Sequence, residues 1–196
     1  FGGIWGHVSV VSAHVAHVHG LYVSASEDLS VAQVVCRVVN KGTERRAWLM
    51  ASVEDASGTE VASCAETECV LAGESTADVA LEESIPEPRA WSPDEPYLYV
   101  VRVSLRERSG GDQVTRSFGL RHLAFDQDGY RLNGRLLHLR VARSEGWYPE
   151  NTAAPSARLA DQEVRAAKDL GLNALRFDGH VASEDVGSGP HGFRYS

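Results

Sequence analysis

Arg176, Asp178 and His180 alternate with Phe177 and Gly179 at the end of a short run, Asn173-Ala-Leu-Arg-Phe177. A guanidinium, a carboxylate and an imidazole gathered there can pair with charge and hydrogen-bond a polar ligand. Their setting gives them weight. The run reads as the second strand of a strand–loop–helix–strand unit, and barrel enzymes build their sites at the C-terminal ends of such strands. The competing reading makes Arg176 a structural ion-pair partner and leaves Asp178 and His180 lining a loop. Trp147 and Tyr148, in the loop before the helix, offer aromatic faces but read first as loop packing.

Other chemistry-bearing residues point nowhere as definite. His14, His17 and His19 tempt a metal reading. On a strand, however, His17 and His19 share a face that His14 does not, so exposed strand histidines are the expectation. Cys36 falls on an apolar strand face with Ala32, Val34 and Val38, where a thiol behaves as a small hydrophobe. Cys64 and Cys69 are close enough to pair across a hairpin, but three cysteines are an odd count and no secretory pattern is present. A cytoplasmic setting is the expectation. No phosphate-cradling glycine loop and no serine-nucleophile motif occurs, and no cofactor is expected.

The elements that must position Arg176 follow from periodicity. Residues 1 to about 120 read as all-β. Val8–Val11, His17–Ser24, Ser30–Asn40, Ala47–Glu54, Glu60–Ala65, Thr67–Leu71, Ser75–Leu81, Tyr97–Leu105 and Val114–Phe118 are strand candidates, separated by turn signals such as Asp55-Ala-Ser-Gly58. That spacing suggests an immunoglobulin-like β-sandwich. The inward faces should carry Val34, Cys36, Val38, Leu49, Tyr99, Val101 and Val103. Ile85 to Pro96 holds four of the seven prolines and reads as a crossover rather than a strand. Beyond Phe118, Leu123–Phe125 and Tyr130–Leu132 form a hairpin, and Asn133-Gly134 is a second tight turn. Leu136–Arg140 then reads as a strand. A helix follows Pro155 with Ser156 as N-cap, and Gly171 stops it. Ala160, Val164, Ala167 and Leu170 are expected on its inner face. Mainly β, with a sandwich followed by a partial (β/α) barrel segment, is the expected class: sandwich 1–120, barrel start 121–182 and a flexible tail 183–196.

Composition excludes some partners. The formal charge of −8 gives no basic face for nucleic acid, and no apolar run approaches a membrane span. With 43% apolar residues a sizeable core is affordable. The chain opens at Phe1, without Met and inside what reads as a fold, so a segment cut from a longer protein is expected.

Four motifs, in order, resemble the family-2 glycoside hydrolases, the group of the β-galactosidases, β-glucuronidases and β-mannosidases. They are Gly2-Gly-Ile-Trp-Gly-His-Val8, Trp91-Ser-Pro-Asp-Glu-Pro-Tyr-Leu-Tyr99, Phe118-Gly-Leu-Arg121 with Leu132-Asn-Gly-Arg135 and Leu139-Arg140, and Lys168-Asp-Leu-Gly-Leu-Asn-Ala-Leu-Arg176. The sequence departs from the family's pattern at Val141, where the family usually has Gly, at His180, one place late, and at Gly146-Trp-Tyr-Pro-Glu150. These departures leave the sugar open.

The resemblance implies hydrolysis of β-linked glycosides by a pair of Glu residues on the fourth and seventh barrel strands. This chain reaches only the second strand, so it carries no catalytic carboxylate and is expected to be inactive alone. Most of its acidic residues read as solvated on strands and turns. Arg176 would orient a catalytic carboxylate, and Asp178 and His180 would hydrogen-bond sugar hydroxyls. A carbohydrate is the implied partner, and an incomplete barrel invites self-association. The alternative is a stand-alone sandwich serving as a non-catalytic carbohydrate-binding or adhesion module.

Overall fold

The computed structural model describes residues 8, 10, 12–108, 110–144 and 157–177. Of the expected strand at Val8–Val11 the described residues include Val8 and Val10, and of the motif at Gly2–Val8 only Val8. Two compact units are present, residues 11–136 and a second containing 137–177.

The first unit is a sandwich. One sheet holds β1 (Ala16–Ala25), β2 (Val31–Asn40) and β6 (Ser75–Ser84) in the order β1-β2-β6. The other holds β3 (Arg45–Glu54), β4 (Glu60–Ser63), β5 (Thr67–Leu71), β7 (Tyr99–Glu107) and β8 (Gly110–Phe118). Its order is β4-β3-β7-β8, with β5 also on β3. Every one of these pairings is antiparallel. Strict alternation explains the layering. Ala32, Val34, Cys36 and Val38 on β2 are fully buried, as are Ala47, Leu49, Ala51 and Val53 on β3 and Val101 and Val103 on β7. The seven core positions expected from period-2 faces are all buried. Burial also pushes the Cys36 thiol up to about 12, so it stays an uncharged core group.

Alternation breaks once on β1, at a bulge between Val18 and Gly20. The bulge returns Leu21 to the core side while His19 stays exposed. The Val18 N–H is taken up by the Asp112 carboxylate at 2.8 Å, and the Arg116 guanidinium donates to the Leu21 carbonyl at 2.7 Å. Both bonds tie β1 to β8 across the two sheets. His17 Nδ1 bonds the His14 carbonyl, and His14 itself is exposed.

Cys69 stands opposite Ala47 on β3, while the Cys64 N–H bonds the Ala51 carbonyl. Four residues along one strand separate those points, about 13 Å at the usual rise. A disulfide needs Cα atoms within about 7 Å. All three cysteines are free.

The proline-rich crossover is pinned, and Ala90 within it makes an isolated parallel bridge to Leu120. Trp91 donates to the Leu120 carbonyl, Asn133 Nδ2 donates to the Trp91 carbonyl, and the Tyr99 hydroxyl accepts from Arg89 N–H. The Arg121 guanidinium lies over the Trp91 ring at 5.0 Å. Gly119 is required there: a Cβ would meet the Trp91 ring at 2.6 Å. A small sheet, β9 (Leu123–Asp126), β10 (Gly129–Leu132) and β11 (Arg135–Leu136), completes this unit. Asn133 and Gly134 join β10 to β11 with φ of 51° and 76°, the two positive angles a two-residue hairpin of this hand needs.

The second unit contains β12 (Val141–Ser144), α1 (Ala157–Asp169) and β13 (Ala174–Phe177), with β12 and β13 parallel. The helix ends where Gly171 suggested. Gly171 has φ 74°, its N–H bonds the Lys168 carbonyl, and the Leu172 N–H bonds the Ala167 carbonyl. These are the two bonds of a Schellman stop. Ala160, Val164 and Ala167 are buried, but Leu170 is 78% exposed, against expectation. At roughly 100° per residue, Leu170 lies about 80° from Ala160, off the buried stripe. No helix among the described residues is long and apolar enough to cross a membrane.

Candidate functional site

The parallel strand of this unit is not the one the sequence pointed to. Leu136–Arg140 was expected; the strand is Val141–Ser144, and only Leu136 of the expected stretch is in a strand, antiparallel on β11. The reason is local. Asn173 clamps the chain just before both strands. Its Oδ1 accepts from Arg140 N–H at 2.7 Å, its Nδ2 donates to the His138 carbonyl at 3.0 Å, and its own N–H donates to the Arg140 carbonyl at 3.0 Å. The Arg140 side chain adds a bond from Nε to the Gly171 carbonyl. His138 and Arg140 therefore spend polar groups on the α1–β13 connection, and the ladder opens at Val141 against Ala174.

That clamp sets the register, and the register makes the site. Val141 faces Ala174, Ala142 faces Leu175, Arg143 faces Arg176 and Ser144 faces Phe177. Directly paired residues point to the same face of a sheet. Arg143 and Arg176 thus project side by side from one face, near the C-terminal ends of both strands, and both are exposed. The opposite face carries Ala142 and Leu175, partly buried, and Ser144, buried. A parallel crossover lays its helix on one face of its strands, and the buried stripe of α1 fits that assignment.

Of the site residues read from sequence, Arg176 sits where it was placed, on the second strand near its C-terminal end. Asp178 and His180, and with them Trp147 and Tyr148, lie outside the described residues. Arg143 was missed. Its signal was present in the alternation Val141-Ala-Arg-Ser144, which repeats the apolar-then-arginine order of Ala174-Leu-Arg-Phe177, but the more apolar Leu136–Leu139 drew the strand away from it. Two guanidiniums on adjacent strands form a forked, doubly cationic surface, suited to a carboxylate held through paired N–H···O bonds. Such a surface keeps a nearby carboxylate ionised.

Comparison with known proteins agrees with this architecture. The sequence profile described as "Glycosyl hydrolases family 2" matches residues 15–121, more than half of the chain. A β-galactosidase of Thermoanaerobacterium thermosulfurigenes is 32% identical over 95 residues, covering 48% of this chain and 13% of that protein. A β-galactosidase of Thermoanaerobacter pseudethanolicus is 29% identical over 182 residues, covering 90% of this chain and 24% of its own length. Among solved structures, a glycosyl hydrolase family 2 member from Bacteroides cellulosilyticus superposes with a TM-score of 0.79 at 24% identity. That match covers 87% of this chain and 23% of the other. The chain therefore spans less than a quarter of the length of these relatives.

Proposed function

Because the chain belongs to family 2 of the glycosyl hydrolases, we propose that it supplies the immunoglobulin-like sandwich and the opening strand–helix–strand of a catalytic (β/α) barrel in a longer β-glycosidase. The observation that carries this reading is the in-register pair Arg143–Arg176 on parallel strands. The structural match supports the barrel assignment, because its 87% coverage exceeds what residues 11–136 alone make up.

In this reading the reaction is retaining hydrolysis of an O-glycosidic bond. It needs two carboxylates about 5 Å apart, one acting as nucleophile and the other as acid and then base. The family resemblance puts them on later barrel strands, which 196 residues are too few to reach. The role of this chain is positioning. Arg176 holds a catalytic carboxylate by charge and by paired hydrogen bonds, which fixes its orientation and keeps it ionised as a nucleophile requires. Arg143 strengthens the same field. Asp178 and His180, following the second strand in sequence, hydrogen-bond sugar hydroxyls. The Asn173–Arg140 clamp sets the height of both arginines.

The test is the stereochemistry of the longer protein that contains this segment. With an aryl β-galactoside as first substrate and other aryl β-glycosides after it, proton NMR of the first-formed product should show the β-anomer of the sugar. An inverted first product, or no hydrolysis of any aryl β-glycoside, contradicts the reading.

A further inference from the structure

Glu83 breaks the expectation that acidic residues here are solvated. It lies between Leu81 and Ile85 on the inward face of β6, is 2% exposed, and its Oε1 has no hydrogen-bond partner among the described residues. The Cys64 thiol and backbone N–H lie beside the carboxyl, Glu60 on β4 adds a second carboxylate nearby, and the cross-strand partner on β2 is Ala32. None of these is a cation. An ionised carboxylate here has lost its water and gained no counter-charge, a costly state that a neutral acid avoids.

We propose that Glu83 is held as a neutral carboxylic acid and makes the seam between the two sheets of the sandwich pH-sensitive. The seam is a cross-sheet one because Glu83 belongs to the β1-β2-β6 sheet, whereas Cys64, beside it, follows β4 of the other. Burial is the main force raising the acid above its ordinary range; the polar Cys64 groups beside it favour the ionised form and oppose that rise, and Glu60 adds to it. The sign follows from linkage. A group whose native pKa is raised gives its full stabilisation below the unfolded value and loses it as pH rises through the native value. Alkali should therefore loosen the seam between β6 and the β4–β5 connection.

The test compares the full chain with Glu83→Gln by urea unfolding, from mildly acidic to mildly alkaline pH. The variant cancels every other titrating group. Above the ordinary glutamate range, the unfolding constant of the native chain relative to the variant should rise by up to about tenfold per pH unit, then level off once Glu83 has ionised. A ratio that is constant with pH, or that falls as pH rises, overturns the proposal. Carbon-13 NMR of the glutamate side-chain carboxyls in the unsubstituted chain decides the matter even where the variant does not fold. One carboxyl should titrate well above all the others. If every glutamate carboxyl titrates together in the ordinary range, Glu83 is an ordinary carboxylate and the proposal falls.

Discussion

Arg176→Ala in the longer glycosidase is expected to lower kcat by about a hundredfold or more, the scale on which misplacing a reacting group slows an enzyme. The physical reason is orientation. Arg176 stands beside Arg143 on one face of the parallel pair, and in the proposed reading removing its fork leaves the catalytic carboxylate free to rotate and its charge less well held. Because the loss is felt at the transition state, kcat and kcat/KM should fall by a similar factor. Arg176→Lys should recover only part of the rate, since an ammonium keeps the charge but not the planar pair of donors. Steady-state kinetics on aryl β-glycosides would decide it. An alanine variant with unchanged kcat and only a lower melting temperature would assign Arg176 to structure alone.

Leu49→Ala is expected to cost the sandwich about 2–5 kcal/mol, the range for a buried leucine whose cavity collapses only partly. Leu49 is fully buried on β3, is paired with Leu105 on β7 and belongs to a large apolar cluster that both sheets share. Against a typical domain stability of about 5–15 kcal/mol, that loss is severe. Met50, the next residue along, points the other way and is exposed, so Met50→Ala should change stability by less than about 0.5 kcal/mol. Urea denaturation of the two variants checks the pair. Equal destabilisation would mean that the face assignment of β3 is wrong.

The contrast between Leu49 and Met50 was legible in the sequence because an antiparallel strand half-buried in a sandwich writes its environment with period two. Ser30–Asn40, Ala47–Glu54 and Tyr97–Leu105 all became strands within two residues of their expected ends. The Asn133-Gly134 turn and the Gly171 stop were legible for a different reason: each needs a positive φ that few residues accept. The first parallel strand was not legible. A run such as Leu136-Leu-His-Leu says that a segment is apolar, but nothing about its partner, and here the partner is fixed by Asn173, over thirty residues away in the chain. Arg143 was lost with the strand that carries it. Glu83 was hidden because Glu82 and Glu83 are neighbours of one kind, and only the pleat of β6 sends one to water and the other to the core. Leu170 failed by a few tens of degrees around a helix, an error that counting i, i+3 and i+4 does not catch at a helix end.

The most direct measurement is turnover of aryl β-galactoside, β-glucuronide and β-mannoside by the purified 196-residue chain, beside the longer protein that contains it, with a mock purification to exclude contaminating enzyme. The expected result is hydrolysis by the longer protein and none by the chain, because binding and positioning groups do not replace the missing pair of carboxylates. Turnover by the chain itself, abolished by unfolding it and absent from the mock, would contradict the assignment of this segment to scaffold and positioning.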